Sequence, residues 1–190
     1  FNPYTYRNFY NGAGVALGDI NNDGLIDIYF TGNLVNNALY LNRGDFKFEE
    51  IAETAGVACK NIWSSGATFV DINQDGWLDL YVCKSGMPGG ENRHNELFIN
   101  QKNNTFKEAS AEYGLDITGL SVQAAFFDYD LDGDLDCYLL NNSMRSVGAY
   151  DLIENQRNIP DTEGNRLLEN RNGHFVNVSE EAGIYSSKIG

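Results

Sequence analysis

The chain has few of the residues that carry disulfide frameworks, histidine metal sites or membrane spans. It contains 3 cysteines, 2 histidines and 3 prolines among 190 residues. Cys59, Cys83 and Cys137 do not form a disulfide framework, and His94 and His174 stand in unlike contexts, which argues against metal binding by histidine. No run of about 18 apolar residues occurs, so we predict no membrane-spanning helix.

Positive charge is also scarce. Lysine and arginine number 13 against 27 acidic residues, which gives a net charge of −14. This excess argues against nucleic acid or an anionic membrane as a partner. No serine, cysteine or histidine constellation of a catalytic kind stands out. The chain lacks an initiator methionine and a signal peptide, and we expect it to be a piece of a longer protein.

One acidic loop is present three times, with the pattern D-x-[DN]-x-D-G-x-x-D. We number its positions 1–9 and call residues 19–27 loop one, 71–79 loop two and 128–136 loop three. Oxygen side chains at positions 1, 3, 5 and 9, with a glycine at 6 that permits a tight curl, suit Ca²⁺. The position 7 carbonyl is a further expected ligand, and about three Ca²⁺ are predicted, one per loop. The predicted ligands are Asp19, Asn21, Asp23, Leu25 and Asp27; Asp71, Asn73, Asp75, Trp77 and Asp79; and Asp128, Asp130, Asp132, Asp134 and Asp136.

Three other interpretations of the loops fit the sequence less well. An acidic turn without metal would explain one copy, since Asp-Gly is a common turn signal, but three copies with identical spacing favour a metal. An EF-hand needs Glu at position 12 and helices on both sides, whereas Phe30, Val82 and Leu139 occupy that position in apolar, strand-like runs. A thrombospondin type 3-like array repeats at much shorter intervals and lacks such strands.

Each loop belongs to a longer repeat of roughly 50 residues. Two strands flank the loop, two more follow, and a helical turn ends the unit at a glycine. Four short strands per unit predict an all-β fold of four-stranded antiparallel β-propeller blades. We place blade one at about 4–56, blade two at about 57–114 and blade three at about 115–183, with 184–190 beginning a fourth blade. Because propellers typically have about 4–8 blades, we expect a fragment whose partners include the remaining blades.

The stretch GVALGDINNDGLIDIYFTG at 14–32 and the later segment NALYLN…FKFEEIAETAGV resemble the FG-GAP/VCBS repeat family. The second segment is similar to the form found in cartilage-acidic-protein-like and ASPIC/UnbV-associated proteins. The resemblance spans about residues 12–185. It implies a propeller related to that of integrin α-subunits, Ca²⁺ in the hairpin between first and second strands, and a secreted or cell-surface location. It maps the ligand side chains onto the loop positions named above.

The face opposite the metal hairpins is the predicted partner surface. Its loops at 84–95 and 141–165 are long, and loops on a rigid scaffold commonly carry function. The residues expected there are Lys84, Arg93, Arg145 and Arg157, with Trp63 nearby. Tyr29, Tyr81 and Tyr138, which recur in the second strands, are interpreted as packing between blades rather than as a ligand stripe.

The leading functional hypothesis is a calcium-stabilised extracellular module that binds a protein or glycan in cell adhesion, with structural metal sites and no enzymatic activity. The alternative is a catalytic or non-catalytic propeller part of a calcium-dependent polysaccharide lyase or hydrolase.

Overall fold

The computed structural model describes residues 13–60, 62–85, 93–142 and 164–184. The fold is all-β, as predicted, and consists of three four-stranded antiparallel sheets and two single-turn helices. Each sheet is one propeller-like blade. The bounds are β1 Val15–Gly18, β2 Asp27–Phe30, β3 Ala38–Asn42, β4 Phe48–Glu50 and α1 Ala52–Ala55; β5 Ser64–Val70, β6 Asp79–Lys84, β7 Glu96–Asn100, β8 Phe106–Glu108 and α2 Ser110–Tyr113; and β9 Ser121–Phe127, β10 Asp136–Asn141, β11 Arg166–Asn170 and β12 Phe175–Asn177.

Within each blade every strand pairs with the next in sequence, in the orders β1-β2-β3-β4, β5-β6-β7-β8 and β9-β10-β11-β12. The acidic loops are the first hairpins of the three blades. Because consecutive strands run antiparallel, these hairpins share one end of the blades with the β3–β4, β7–β8 and β11–β12 turns. Neither helix in the described ranges is long enough to cross a membrane.

The blades meet along their first strands, and β5 lies between β1 and β9. Gly14 N donates to Ser65 O at 2.7 Å, and Ser65 Oγ donates to Ser121 O at 2.5 Å. A Cβ on Gly14 would lie 2.4 Å from Ser65 O, so only glycine permits this approach of two backbones. The small residues of the first strands therefore fit the crowded inner edge.

Two apolar clusters fill the spaces between neighbouring blades. Tyr29 and Leu39 of blade one pack with Leu80 of blade two, and Tyr81 of blade two packs with Cys137 of blade three. All six residues of β6 are buried, because blade two has a neighbour on each side. The three cysteines are unpaired thiols, and the position of Cys137 in the core agrees with its interpretation as a buried hydrophobe.

A buried polar link accompanies each apolar interface. Asn37 Nδ2 donates to Tyr29 OH at 2.7 Å and to Ser64 Oγ of the next blade at 3.0 Å, and Tyr29 OH donates to Val57 O at 2.7 Å. The same set recurs one blade later.

In that second copy, Asn95 Nδ2 donates to Tyr81 OH and to Ser121 Oγ, both at 3.0 Å, and Tyr81 OH donates to Leu115 O at 3.1 Å. The predicted packing role of the tyrosines is thus seen for Tyr29 and Tyr81. Tyr138, in the third copy, is only half-buried on the outward face of blade three.

Candidate metal centres

All three acidic loops curl around the carboxylate at position 1. In loop one, Asp19 accepts hydrogen bonds from Asp23 N at 3.1 Å and Gly24 N at 2.7 Å. Asp71 and Asp128 accept the equivalent pairs in the other loops. The position 6 glycines have φ of 85°, 83° and 99°, a region that favours glycine. The recurring sequence pattern therefore gives one recurring loop conformation.

The position 9 aspartates make buried hydrogen bonds that the loop pattern does not predict. Asp27, Asp79 and Asp136 are almost fully buried. Asp27 Oδ2 accepts from Ile20 N at 3.0 Å and its Oδ1 accepts from Asn42 N at 2.8 Å. The same two bonds recur at Asp79 and Asp136. Each carboxylate thus ties its hairpin to the end of the third strand.

The loops concentrate negative charge, and several of their aspartates have raised pKa values. Burial, opposed by two backbone hydrogen bonds and assisted by the charges of Asp75 and Asp71, raises the pKa of Asp79 to about 6. Burial likewise raises the pKa of Asp27. In loop three, desolvation and then the charges of neighbouring aspartates raise the pKa of Asp130 and of Asp134. A cation among these groups would favour their ionised forms.

Loop three brings its carboxylates closest together. Oxygen atoms of Asp128, Asp130 and Asp136 all lie within 4.8 Å of one another. Asp134 Oδ1 is buried and lacks a hydrogen-bond partner within the described residues. In loops one and two, Asn21 and Asn73 occupy position 3 and donate to the position 5 carboxylates at 3.0 and 3.4 Å. All these side chains offer oxygen, which fits a hard cation such as Ca²⁺.

Loop two already has a protein cation at its edge. Lys102, from the β7–β8 turn, places Nζ 3.1 Å from Asp75 Oδ2 and 6.0 Å from the centroid of the Trp77 ring. The Lys102 ammonium thus places a positive charge beside loop two, next to Asp75, a predicted metal ligand. The oxygen donor sets of the loops fit the predicted cation.

The predicted partner surface is corrected in two places. Lys84 was expected in an exposed basic loop, but it ends β6, is 0% exposed and places Nζ 2.7 Å from Glu96 Oε1. Trp63 was expected at the same surface, but it is buried against Leu120. Lys84 was misassigned because β6 extends one residue beyond its apolar run, and Trp63, which precedes β5, was misassigned because it packs in a small apolar cluster with Leu120. Arg93 is half-buried, with Nη2 3.4 Å from Gly119 O.

The remaining parts of that prediction fall outside the described residues, namely 86–92 and 143–163 with Arg145 and Arg157. Of the residues close to those segments, Asn95 and Asn141 are buried, whereas Arg93 and Asn142 are half-buried.

Each of the three antiparallel four-stranded blades has the acidic hairpin between its first and second strands, and this arrangement resembles that of FG-GAP-like repeats. A family model described as FG-GAP-like repeat matches residues 19–82. This match runs from loop one into β6 and confirms the resemblance inferred from the sequence.

The chain is similar to Cartilage acidic protein 1 from several vertebrates. It is 29% identical to the protein of Xenopus tropicalis over 152 residues, which cover 78% of this chain and 22% of the relative. The match to the human protein is 28% over 165 residues, 85% of this chain and 23% of the relative. The mouse protein matches at 28% identity, with 24% of its length covered. The chain thus spans less than a quarter of these relatives.

Proposed function

We propose that the chain is a calcium-binding extracellular FG-GAP/VCBS propeller module that acts in protein or glycan binding and adhesion, with the metal in a structural role and no catalytic activity. The observation that carries this proposal is the threefold recurrence of one loop conformation with an all-oxygen donor set. The FG-GAP-like match and the similarity to Cartilage acidic protein 1 support the module class. The net charge of −14 supports a partner other than nucleic acid or an anionic membrane.

The ions would be held by side chains at positions 1, 3, 5 and 9 and by the carbonyl at position 7 of each loop. Bound Ca²⁺ supplies positive charge that offsets the repulsion between clustered carboxylates. The protein supplies the loop conformation, since positions 1 and 9 are already oriented by backbone amides. For extracellular modules Kd is on the order of 10⁻⁴–10⁻³ M. Millimolar calcium then stabilises by roughly 0.4–1.4 kcal/mol per site.

The outward faces of blades one and three are proposed to pack against further blades of the same polypeptide. Val15, Leu17 and Phe30 of blade one are exposed, although the repeat positions they occupy pack against a neighbouring blade in blades two and three. Phe127 and Leu140 are similarly exposed on blade three. Burial of such apolar surface stabilises by about 25 cal/mol per Å².

Partner recognition is proposed for the opposite end of the blades, away from the metal hairpins, where the long connections 84–95 and 141–165 lie in the sequence. The buried Lys84 and Trp63 are excluded from that surface.

Calorimetric titration with Ca²⁺ tests the metal part of the proposal. The unaltered chain should bind about three ions, and each of Asp19→Ala, Asp71→Ala and Asp128→Ala should remove one. Asp116→Ala, which replaces an exposed aspartate outside the loops, is the matched control and should leave the stoichiometry unchanged. A folded chain that takes up no calcium would contradict the proposal.

A further inference from the structure

The side chain at loop position 4 crosses to the next loop. Asn22 Nδ2 donates to Gly76 O at 3.1 Å, and Gln74 Nε2 donates to Gly133 O at 2.7 Å. In both cases position 4 of one loop reaches the position 6 carbonyl of the following loop. Both donor residues have φ of 57°. The geometry therefore belongs to the repeat, even though it joins residues more than fifty positions apart in sequence.

The acceptor peptide also contacts a predicted metal ligand. The peptide group between Gly76 and Trp77 offers its carbonyl to Asn22, and its N–H donates to Asp75 Oδ1 at 3.0 Å. One rigid plane thus joins the amide of loop one to the position 5 carboxylate of loop two. Gln74, Gly133 and Asp132 repeat the arrangement, with Asp134 N donating to Asp132 Oδ1 at 3.0 Å.

Loops one and two have a second link at their buried base. Asn100 N donates to Asp79 Oδ1 at 2.8 Å, and Asn100 Nδ2 donates to Ile20 O, also at 2.8 Å. Ile20 N in turn donates to Asp27 Oδ2. The position 9 carboxylates of the two loops are therefore joined through Asn100 and one residue of loop one.

We propose that these links couple the metal sites, so that an ion bound in loop one raises the affinity of loop two, and the reverse. The proposal rests on the calcium-binding function proposed above. An ion bound in loop two would order Asp75 and Asp79. These carboxylates hold the two groups that bond to Asn22 and Ile20, and both of those residues neighbour or contact predicted ligands of loop one. Coupling of this kind is reciprocal. We call the hydrogen bonds made by the position 4 side chains tip links. Loop three makes none to a further loop, because its position 4 residue is Leu131, which has no donor and is highly exposed.

Trp77, at position 7 of loop two, makes that loop separately observable. Tb³⁺ is the probe, with its luminescence excited through tryptophan and Ca²⁺ used in competition. Trp63, the other tryptophan, is buried near the far end of β5. Loop one is disabled by Asp19→Ala, with Asp23→Asn as a milder second variant should the first fail to fold. The tip link is removed by Asn22→Leu, a residue that loop three accommodates at the same position with φ of 64°.

Disabling loop one should weaken the affinity of loop two about two- to tenfold, the range that one net hydrogen bond spans. In the Asn22→Leu background, disabling loop one should weaken the affinity of loop two by a smaller factor, because only the link at the buried base of the loops remains. Leu131→Ala, at the end of the series, is the control and should leave the affinity of loop two unchanged.

A loss of equal size with and without Asn22 would overturn the role of the Asn22 link, and no loss in either background, while loop two still binds the ion, would overturn the coupling altogether. Absence of any Tb³⁺ or Ca²⁺ binding to the folded chain would overturn the calcium function itself, and the coupling with it.

Discussion

Blade two and blade one present the same repeat positions to different surroundings. On the face of blade two that meets blade one, Leu80 and Val82 are 0% exposed. Of the residues on the outward face of blade one, Leu17 is 63% and Phe30 is 39% exposed. Both faces are apolar, so their burial is decided by the presence of a neighbouring blade rather than by the composition of the strand. Apolar positions of a repeat are thus interface positions whether or not they are covered.

The largest expected effect comes from a core leucine. Leu80→Ala should lower the free energy of unfolding by about 2–5 kcal/mol, because it leaves a cavity between blades one and two. Leu17→Ala, on the outward face, should change it by less than about 0.5 kcal/mol. Urea denaturation followed by circular dichroism measures both. Equal losses would mean that the two faces are not different, and the comparison would fail.

The second effect concerns the ion pair between Lys84 and Glu96, which lies in the interface between blades one and two. Glu96→Gln should destabilise the chain by on the order of 3 kcal/mol, since it leaves a buried ammonium unpaired. Glu49→Gln breaks the exposed pair with Arg43 and should cost no more than about 1 kcal/mol. Similar unfolding free energies for the two variants would contradict the buried position of Lys84.

The polar links between blades offer a third, smaller contrast. Asn95→Ala should cost about 1–3 kcal/mol, because it leaves Lys84 N and other groups buried without a hydrogen bond. Asn165 is the equivalent residue of blade three, is half-buried and accepts from Asn141 N at 2.8 Å. Asn165→Ala should cost less, since no following blade closes over it. A thermal melt measures the loss of stability in each variant. A larger loss for Asn165→Ala than for Asn95→Ala would contradict the comparison.

Much of the fold follows from the sequence, because propeller repeats encode local patterns. Apolar runs around each Asp-Gly loop predicted the hairpins, and the two further strands expected after each hairpin are present in all three blades. The ends of strands were less predictable. Lys84 carries a charge at the end of an apolar run, which is a common loop signal, yet it is the last residue of β6 and Glu96 compensates its charge.

The candidate site was predicted only in part. The spacing of the loops predicted which carboxylates come together, since their order within nine residues sets their geometry. The bonds from Asn22 and Gln74 to the next loop were missed because they join distant segments, and only blade packing brings those segments together. An amide at position 4 in both loops was the available signal. The two bonds made by each position 9 aspartate also depend on the third strand, which the loop pattern does not contain.

The buried thiols provide a contrast in chemical reactivity between the folded and the unfolded chain. Burial, then the Glu96 carboxylate, raises the pKa of Cys59 to about 12, and burial also raises the pKa of Cys83 well above its usual range. Reaction with Ellman's reagent at neutral pH should therefore be slow for the folded chain and fast in denaturant, because the thiolate is the nucleophile. The contribution of Cys59 to stability is present below about pH 9 and is lost as pH rises towards 12. Rapid labelling of folded Cys59 would contradict this assignment.

A thermal melt in EDTA, in millimolar Ca²⁺ and in millimolar Mg²⁺ tests the central claim most directly. If the loops are structural calcium sites, Ca²⁺ should raise Tm by several degrees, since each kcal/mol shifts Tm by roughly 2–4 °C for a chain of this size. Mg²⁺, which keeps its waters and demands octahedral geometry, should have little effect. A folded chain whose Tm is the same in EDTA and in Ca²⁺ would show that the loops are acidic turns and contradict the account.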